Sequence, residues 1–302
     1  MAAQGIAKLE TQSAEVIQTR SHWQRAFMRL RKDYLTLLAL AVMFALTLSV
    51  ILADPISRYI LNTDPIGENL SKIFQQPSST NLLGTDHKGR DVISRLMFGG
   101  QVSLGVAFTA AILSLVIGVS MGLITGYYGG LVDDFFNWFI TTLNSIPSLF
   151  LLLIIASVFT TGPLTLALVL GFLGWTGTLR LVRGQTLTLR EREFVIAAKA
   201  MGASDARLMS QHILPNLMSL VIVSLALDIG GLILTESALS FLGFGISPPD
   251  PSWGNMLTNA VQDFTQAPLL VIAPGMLITI TVLCLFVIGD GVRDALDPTI
   301  NP

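Results

Sequence analysis

From Phe135 to Leu179 the chain runs forty-five residues without an Asp, Glu, Lys or Arg. One helix needs roughly 20 apolar residues to cross a bilayer, and within lipid only helices or closed barrels satisfy their own backbone. The stretch is therefore long enough for two crossings. Thr-Thr-Gly-Pro at 160–163 supplies a break, favouring two spans joined by a tight turn. Four further stretches are nearly as free of charge: Tyr34–Ala53, Leu96–Leu131, Asn216–Phe244 and Phe264–Gly289. Six spans follow, and with them an all-α polytopic membrane protein embedded in the lipid bilayer. Leu96–Leu131 is longer than one span needs, so its early part, Met97–Ser103, is expected in the interface before a helix near Leu104–Tyr127.

Composition agrees, with 52% hydrophobic and 13% charged residues and a mean hydropathy of +0.66. A soluble domain carries about 25% charged residues. Orientation follows from Lys and Arg, which gather in cytoplasmic segments. The tail to Lys32 holds six and Arg180–Arg207 holds six more, on the same side of a six-span chain. Both termini are expected to be cytoplasmic. The connection 54–95 has five basic residues, but span parity places it outside. The polar N-terminal tail has no cleavage pattern, so the first helix is expected to stay in the mature chain.

Several chemistries lack their residues. The nearest approach to a phosphate-cradling GxxxxGK[ST] loop, GTDHKGR at 84–90, has the wrong spacing. His22, His87 and His212 are scattered, Cys284 is the only cysteine, and neither HExxH nor GxSxG occurs. No catalytic residue, metal ligand or cofactor site is expected, and no basic and aromatic stripe suggests nucleic acid.

The polar interruption AAKAMGASDARLMSQHILPN, 197–216, carries more information. Phe194, Ala197, Ala198 and Met201 share one helical face. Gly202 sits where helices end in a left-handed residue, and Ser204 is placed to cap a second helix. Leu208, Met209, His212 and Ile213 give that helix a largely apolar face, and Pro215 is expected to close the unit. The pattern is helix, glycine corner, helix. An amphipathic pair can lie on the lipid surface, but a small, apolar knob of this kind better suits a protein partner.

This segment resembles the EAA loop of ABC importer permeases, in which E-A-A is followed by three residues, Gly, nine residues and I-x-L-P. Ala197, Ala198, Gly202, Leu214 and Pro215 match; Ile196 replaces the Glu and His212 the Ile. LLGTDHKGRDVISRLMFGGQVSL (82–104), GYYGGLVDD (126–134), ESALSFLGFGISPPDPSWGNML (236–257) and GDGVRDALDP (289–298) are similar to the second permease subunit of dipeptide, oligopeptide and nickel ABC importers. The resemblance implies the type I ABC importer fold in the inner membrane. It implies a non-enzymatic subunit forming half of a pathway for peptides or a related substrate such as nickel. Its partners would be a homologous second permease subunit, two cytoplasmic ABC ATPase subunits docking on the loop, and an external substrate-binding protein. The implied organisation is a tail (1–33), a first transmembrane helix (34–53), an external connection (54–98), a permease domain (99–290) containing the coupling loop 190–216, and a C-terminal tail (291–302).

Within the spans, Ala110, Ser114, Gly118, Gly122 and Gly126 form a small-residue face suited to close helix packing. Asn144 and Ser145, beside Pro147, mark a helix break offering polar groups to a pathway. Asp228 and Glu236 are carboxylates inside a span, which marks them as pathway candidates or, equally, as structural groups paired with another subunit. They also leave open a competing reading, a self-sufficient proton- or cation-coupled carrier, against which stands the lack of a visible internal repeat. Trp253 is expected in the aromatic belt.

Overall fold

The structure, a computed structural model, describes residues 22–158 and 162–296, with no side-chain description for 22–25 and 259. Among them helices dominate and no strand forms. A short helix α1 (His22–Leu30) precedes α2 (Tyr34–Ile51). Asp33 starts α2 by accepting hydrogen bonds from the backbone N–H groups of Leu35 (3.1 Å) and Thr36 (3.4 Å). Asp91 does the same for α3 (Val92–Tyr128), accepting from Ser94 N–H at 2.8 Å. Helix α3 stops at Gly129, whose φ is 65°.

The uncharged stretch after α3 is broken. Helices α4 (Gly130–Asn144) and α5 (Ser148–Val158) meet at 79°. Pro147 has no N–H to donate and biases Ile146 away from helical geometry, which is enough to end α4 here. The expected turn at 160–163 lies partly outside the described residues, and α6 (Pro163–Arg190) starts with proline at its first position. Helix α7 (Glu193–Ala200) leads to a corner, then α8 (Leu214–Phe241), α9 (Trp253–Ala260) and α10 (Leu269–Leu296) complete the chain. Among the described residues five helices are long and apolar enough to cross a membrane, or six where the bent pair counts as one span.

Helices α3 and α6 form the closest pair, and glycine is the reason. A Cβ on Gly118 would lie 2.7 Å from Thr178 Cβ, one on Gly122 2.8 Å from Val182 Cβ, and one on Gly126 2.6 Å from Thr186 Cβ. The small-residue face is thus a helix contact, with Ala110 and Ser114 buried in it. In lipid, where apolar side chains gain nothing by leaving solvent, such close approach supplies the packing attraction. A second core joins α3, α8, α9 and α10 around Val92, Leu104, Ile233, Trp253 and Val282. Helix α1 lays Ala26 and Leu30 against Val292, Ala295 and Leu296 of α10.

Three sequence expectations are corrected. Met97–Ser103 does not precede the helix but forms the second and third turns of α3, so the boundary at 98/99 falls within a helix. Trp253 is 1% exposed rather than belted: its ring packs on Gly99 and Gly100, and its Nε1 donates to the Leu96 carbonyl at 2.9 Å. The boundary at 290/291 falls inside α10, which continues to Leu296.

Candidate functional site

The corner between α7 and α8 is built by hydrogen bonds the sequence foreshadows. Gly202 has φ 87°; its N–H donates to Lys199 O (3.0 Å) and Ala203 N–H donates to Ala198 O (3.1 Å). These are the two reverse bonds of a Schellman termination, which needs a left-handed residue at this position. No atom lies within 4 Å of where a Gly202 Cβ would stand, so backbone conformation alone demands glycine.

Ser204 occupies the next cap position in extended geometry, yet its side chain makes no capping bond; only its carbonyl accepts, from Leu208 N–H at 2.9 Å. Pro215 does not close the unit either. The chain is helical from Asp205, passes through a wide π turn at Leu208–Ile213 and enters α8 with Pro215 in its first turn. Proline cannot complete the ordinary ladder, and the π turn absorbs the mismatch.

The expected face also divides. Ala198 is buried with Val195 against Leu208, Ile213, Leu217 and Val221, a neighbourhood that Leu214 joins. Phe194, Ala197 and Met201 stay exposed, Met201 at 83%, and Ile196 is exposed beside them. Ala198 therefore fastens α7 to α8, while the other three present an outward apolar surface. Two polar ties anchor the corner to α3: Tyr127 Oη donates to Asp205 Oδ1 (2.6 Å), and Arg190 Nη1 donates to the carbonyls of Gly126 (3.1 Å) and Tyr127 (3.2 Å). The arginine meets the C-terminal end of α3, where a cation is favoured.

At the 79° bend a cavity of about 180 Å³ is lined by Asn144, Ile146, Ser148, Leu170, Thr176 and Thr235. Thr176 Oγ1 donates to Asn144 Oδ1 at 3.5 Å, while Ser145 donates back to Thr142 O at 2.6 Å. Asp228 is half-buried, accepts from Thr178 Oγ1 at 3.1 Å and is not among the residues lining this cavity.

Glu236 is a different case. It is 0% exposed and accepts hydroxyl hydrogen bonds from Ser103 (2.8 Å), Ser240 (2.7 Å) and Ser237 (3.4 Å). Ser103 in turn accepts from Trp253 N–H (3.1 Å) and Ser240 from Ile246 N–H (3.0 Å). The carboxylate is the centre of a knot joining α3, α8 and the start of α9. Having no exposed surface in this chain, it takes the structural place that its sequence position also allowed, and the carrier reading is left with Asp228. A carboxylate in an apolar span does signal a buried partner, but serines are too common to show which ones.

Five candidate membrane helices among the described residues, a bent pair that can make a sixth, and an anchored glycine corner define a polytopic membrane protein of the permease kind. Residues 114–302 match the family described as binding-protein-dependent transport system inner membrane component. The chain belongs to this family and has the type I ABC importer permease fold. It is 35% identical to an oligopeptide transport system permease protein of Bacillus subtilis over 93% of this chain and 91% of that one. It is 37% identical to a dipeptide transport system permease protein of Alkalihalophilus pseudofirmus, covering 92% and 90%. A glutathione transport system permease protein of Pectobacterium atrosepticum is 36% identical, with 76% of each chain covered.

Proposed function

We propose that this chain forms half of an inner-membrane pathway for small peptides, paired with a homologous permease subunit and supplied by an external substrate-binding protein. Two cytoplasmic ATPase subunits drive it, one of them docking on the segment 190–216. The termini and that segment are cytoplasmic; 54–95 and 245–263 are external. The observation that carries the reading is the corner at Gly202. Its inner face is fastened to α3 and α8 while Phe194, Ile196, Ala197 and Met201 are left exposed, so force applied there passes into spanning helices. Peptides are favoured as substrate because the relatives are named for oligopeptide, dipeptide and glutathione transport.

In this reading the bend at 145–147 and its cavity, with Asn144, belong to the pathway, and Asp228 offers its carboxylate to a cationic group of the peptide. Glu236 holds the external end of the bundle together. The test is co-purification in mild detergent from cells expressing the whole transporter. The ATPase should accompany the parent, and Met201→Asp should reduce its recovery at least tenfold at unchanged membrane yield. Equal recovery together with undiminished peptide uptake would refute docking at this corner.

A further inference from the structure

The segment before α3 folds around a buried charge cluster that the transport reading does not use. Asp86 is fully engaged by its neighbours. Its Oδ2 accepts from Arg90 Nε (2.8 Å) and Nη2 (2.7 Å), and its Oδ1 accepts from the N–H groups of Lys88 (2.8 Å) and Arg90 (3.0 Å). Burial alone would raise the Asp86 carboxyl, but the hydrogen bonds from Arg90 outweigh it and hold it below the usual carboxylate range.

Arg95 is served far less well. Its side chain is 7% exposed, its Nε stands 3.5 Å from the already occupied Asp86 Oδ2, and its Nη1 donates to a neutral acceptor, Pro65 O, at 3.1 Å. The adjacent Asp91 is occupied by Asn81 Nδ2 (2.8 Å) and by the start of α3. A guanidinium has five donors, and a buried charge without a full partner is costly.

Arg90 and Arg95 border a cavity of about 80 Å³, several times the roughly 10–15 Å³ that admits one water. Asp86 supplies one negative charge to its wall against two from the arginines. Lys88, also on the wall, is paired with Glu68, leaving an excess of one positive charge. The rest of the wall adds His87 and Asn255 to the apolar Val92, Met256, Ala260 and Leu270.

We propose that this cavity binds a monocarboxylate carrying a short apolar group, its carboxylate taken by Arg95 with Arg90 beside it. One negative charge balances the wall, whereas a dianion overshoots it. A planar carboxylate matches the guanidinium fork, and the apolar wall receives the substituent. Two sources share this chemistry, the C-terminus of a small peptide and a free short-chain acid. The site stands whether or not the transport reading does.

The experiment uses the full chain in lipid nanodiscs and follows propionate by saturation-transfer NMR. Propionate should bind saturably and propionamide should not. Arg95→Gln should weaken binding at least tenfold, and Arg95→Lys, which keeps the charge but loses the fork, should fall between. Should Arg95→Gln fail to fold, the propionate and propionamide pair on the parent still decides. Alanyl-alanine displacing propionate, with its C-terminal amide inactive, identifies a peptide terminus as the carboxylate source. Its failure to displace identifies a free acid, and both results support the site. Absent propionate binding, propionamide binding equally well, or inorganic phosphate displacing propionate at equal concentration would overturn the proposal.

Discussion

Gly122→Ala adds one methyl group to the α3–α6 seam at a place where its cost is readable. The new Cβ would lie 2.8 Å from Val182 Cβ and 2.9 Å from the Leu179 carbonyl oxygen. Carbon atoms in comfortable contact stand about 3.5–4.0 Å apart, so the helices must part by much of an ångström along a row shared with Gly118 and Gly126. Neither neighbour can swing aside: Val182 is fully buried and β-branched, and the Leu179 oxygen is backbone. Overpacking of this kind costs about 1–3 kcal/mol, a roughly 5- to 150-fold fall in the folded-to-unfolded ratio. Gly184→Ala is the control, because nothing lies within 4 Å of its Cβ position. There alanine gains its helix preference over glycine, up to about 1 kcal/mol. Reversible unfolding of both variants in mixed micelles, followed by tryptophan fluorescence, should move them in opposite directions from the parent. A Gly122→Ala protein as stable as Gly184→Ala would refute the close packing of this seam.

Gly202→Val should insert normally and lose substrate-stimulated ATP hydrolysis in reconstituted complexes, because a β-branched residue at φ 87° stores roughly 1–3 kcal/mol of strain; parent-like stimulation would count against the corner. Since Asp86 titrates lower in the folded chain, its stabilisation is present above the ordinary carboxylate value near ~4 and is lost as pH falls through the folded value. Melting temperatures of the parent and Asp86→Asn should therefore differ at pH 7, and the gap should begin to close only as the pH falls below about 4; a gap independent of pH would contradict this. Asp228→Asn should reduce uptake of peptides with a free amino terminus while leaving assembly and basal ATP hydrolysis intact, and unchanged uptake would remove Asp228 from the pathway. In a Cys284→Ser background, single cysteines at the exposed positions Ser78, Ser204 and Ser247 should react with an impermeant reagent on intact cells at the first and last only; labelling of Ser204→Cys would reverse the orientation.

Local chemistry determined what could be read along the chain. Uncharged runs of sufficient length must become helices in lipid, so the crossings were legible, as was the break at Pro147, where a missing N–H ends a helix whatever surrounds it. Gly202 was legible for the same reason: its positive φ is a property of one residue and its two reverse bonds. The four-residue spacing of Gly118, Gly122 and Gly126 announced a close helix contact, but only the fold shows that α6 fills it with Thr178, Val182 and Thr186. The tertiary structure alone decided which polar groups meet. Ser103 and Glu236 are 133 residues apart yet 2.8 Å from each other, and Leu96 accepts from Trp253 across 157. Serine and backbone carbonyls carry no pattern that marks a partner at such distance. Ser204 looked like a cap and has the extended backbone of one, yet its side chain makes no capping bond, and Ala198 turned inward because α8 lay on that side. Arg95 gave no sign of being short of a partner until the loop carrying Asp86 folded over it and spent both carboxylate oxygens on Arg90.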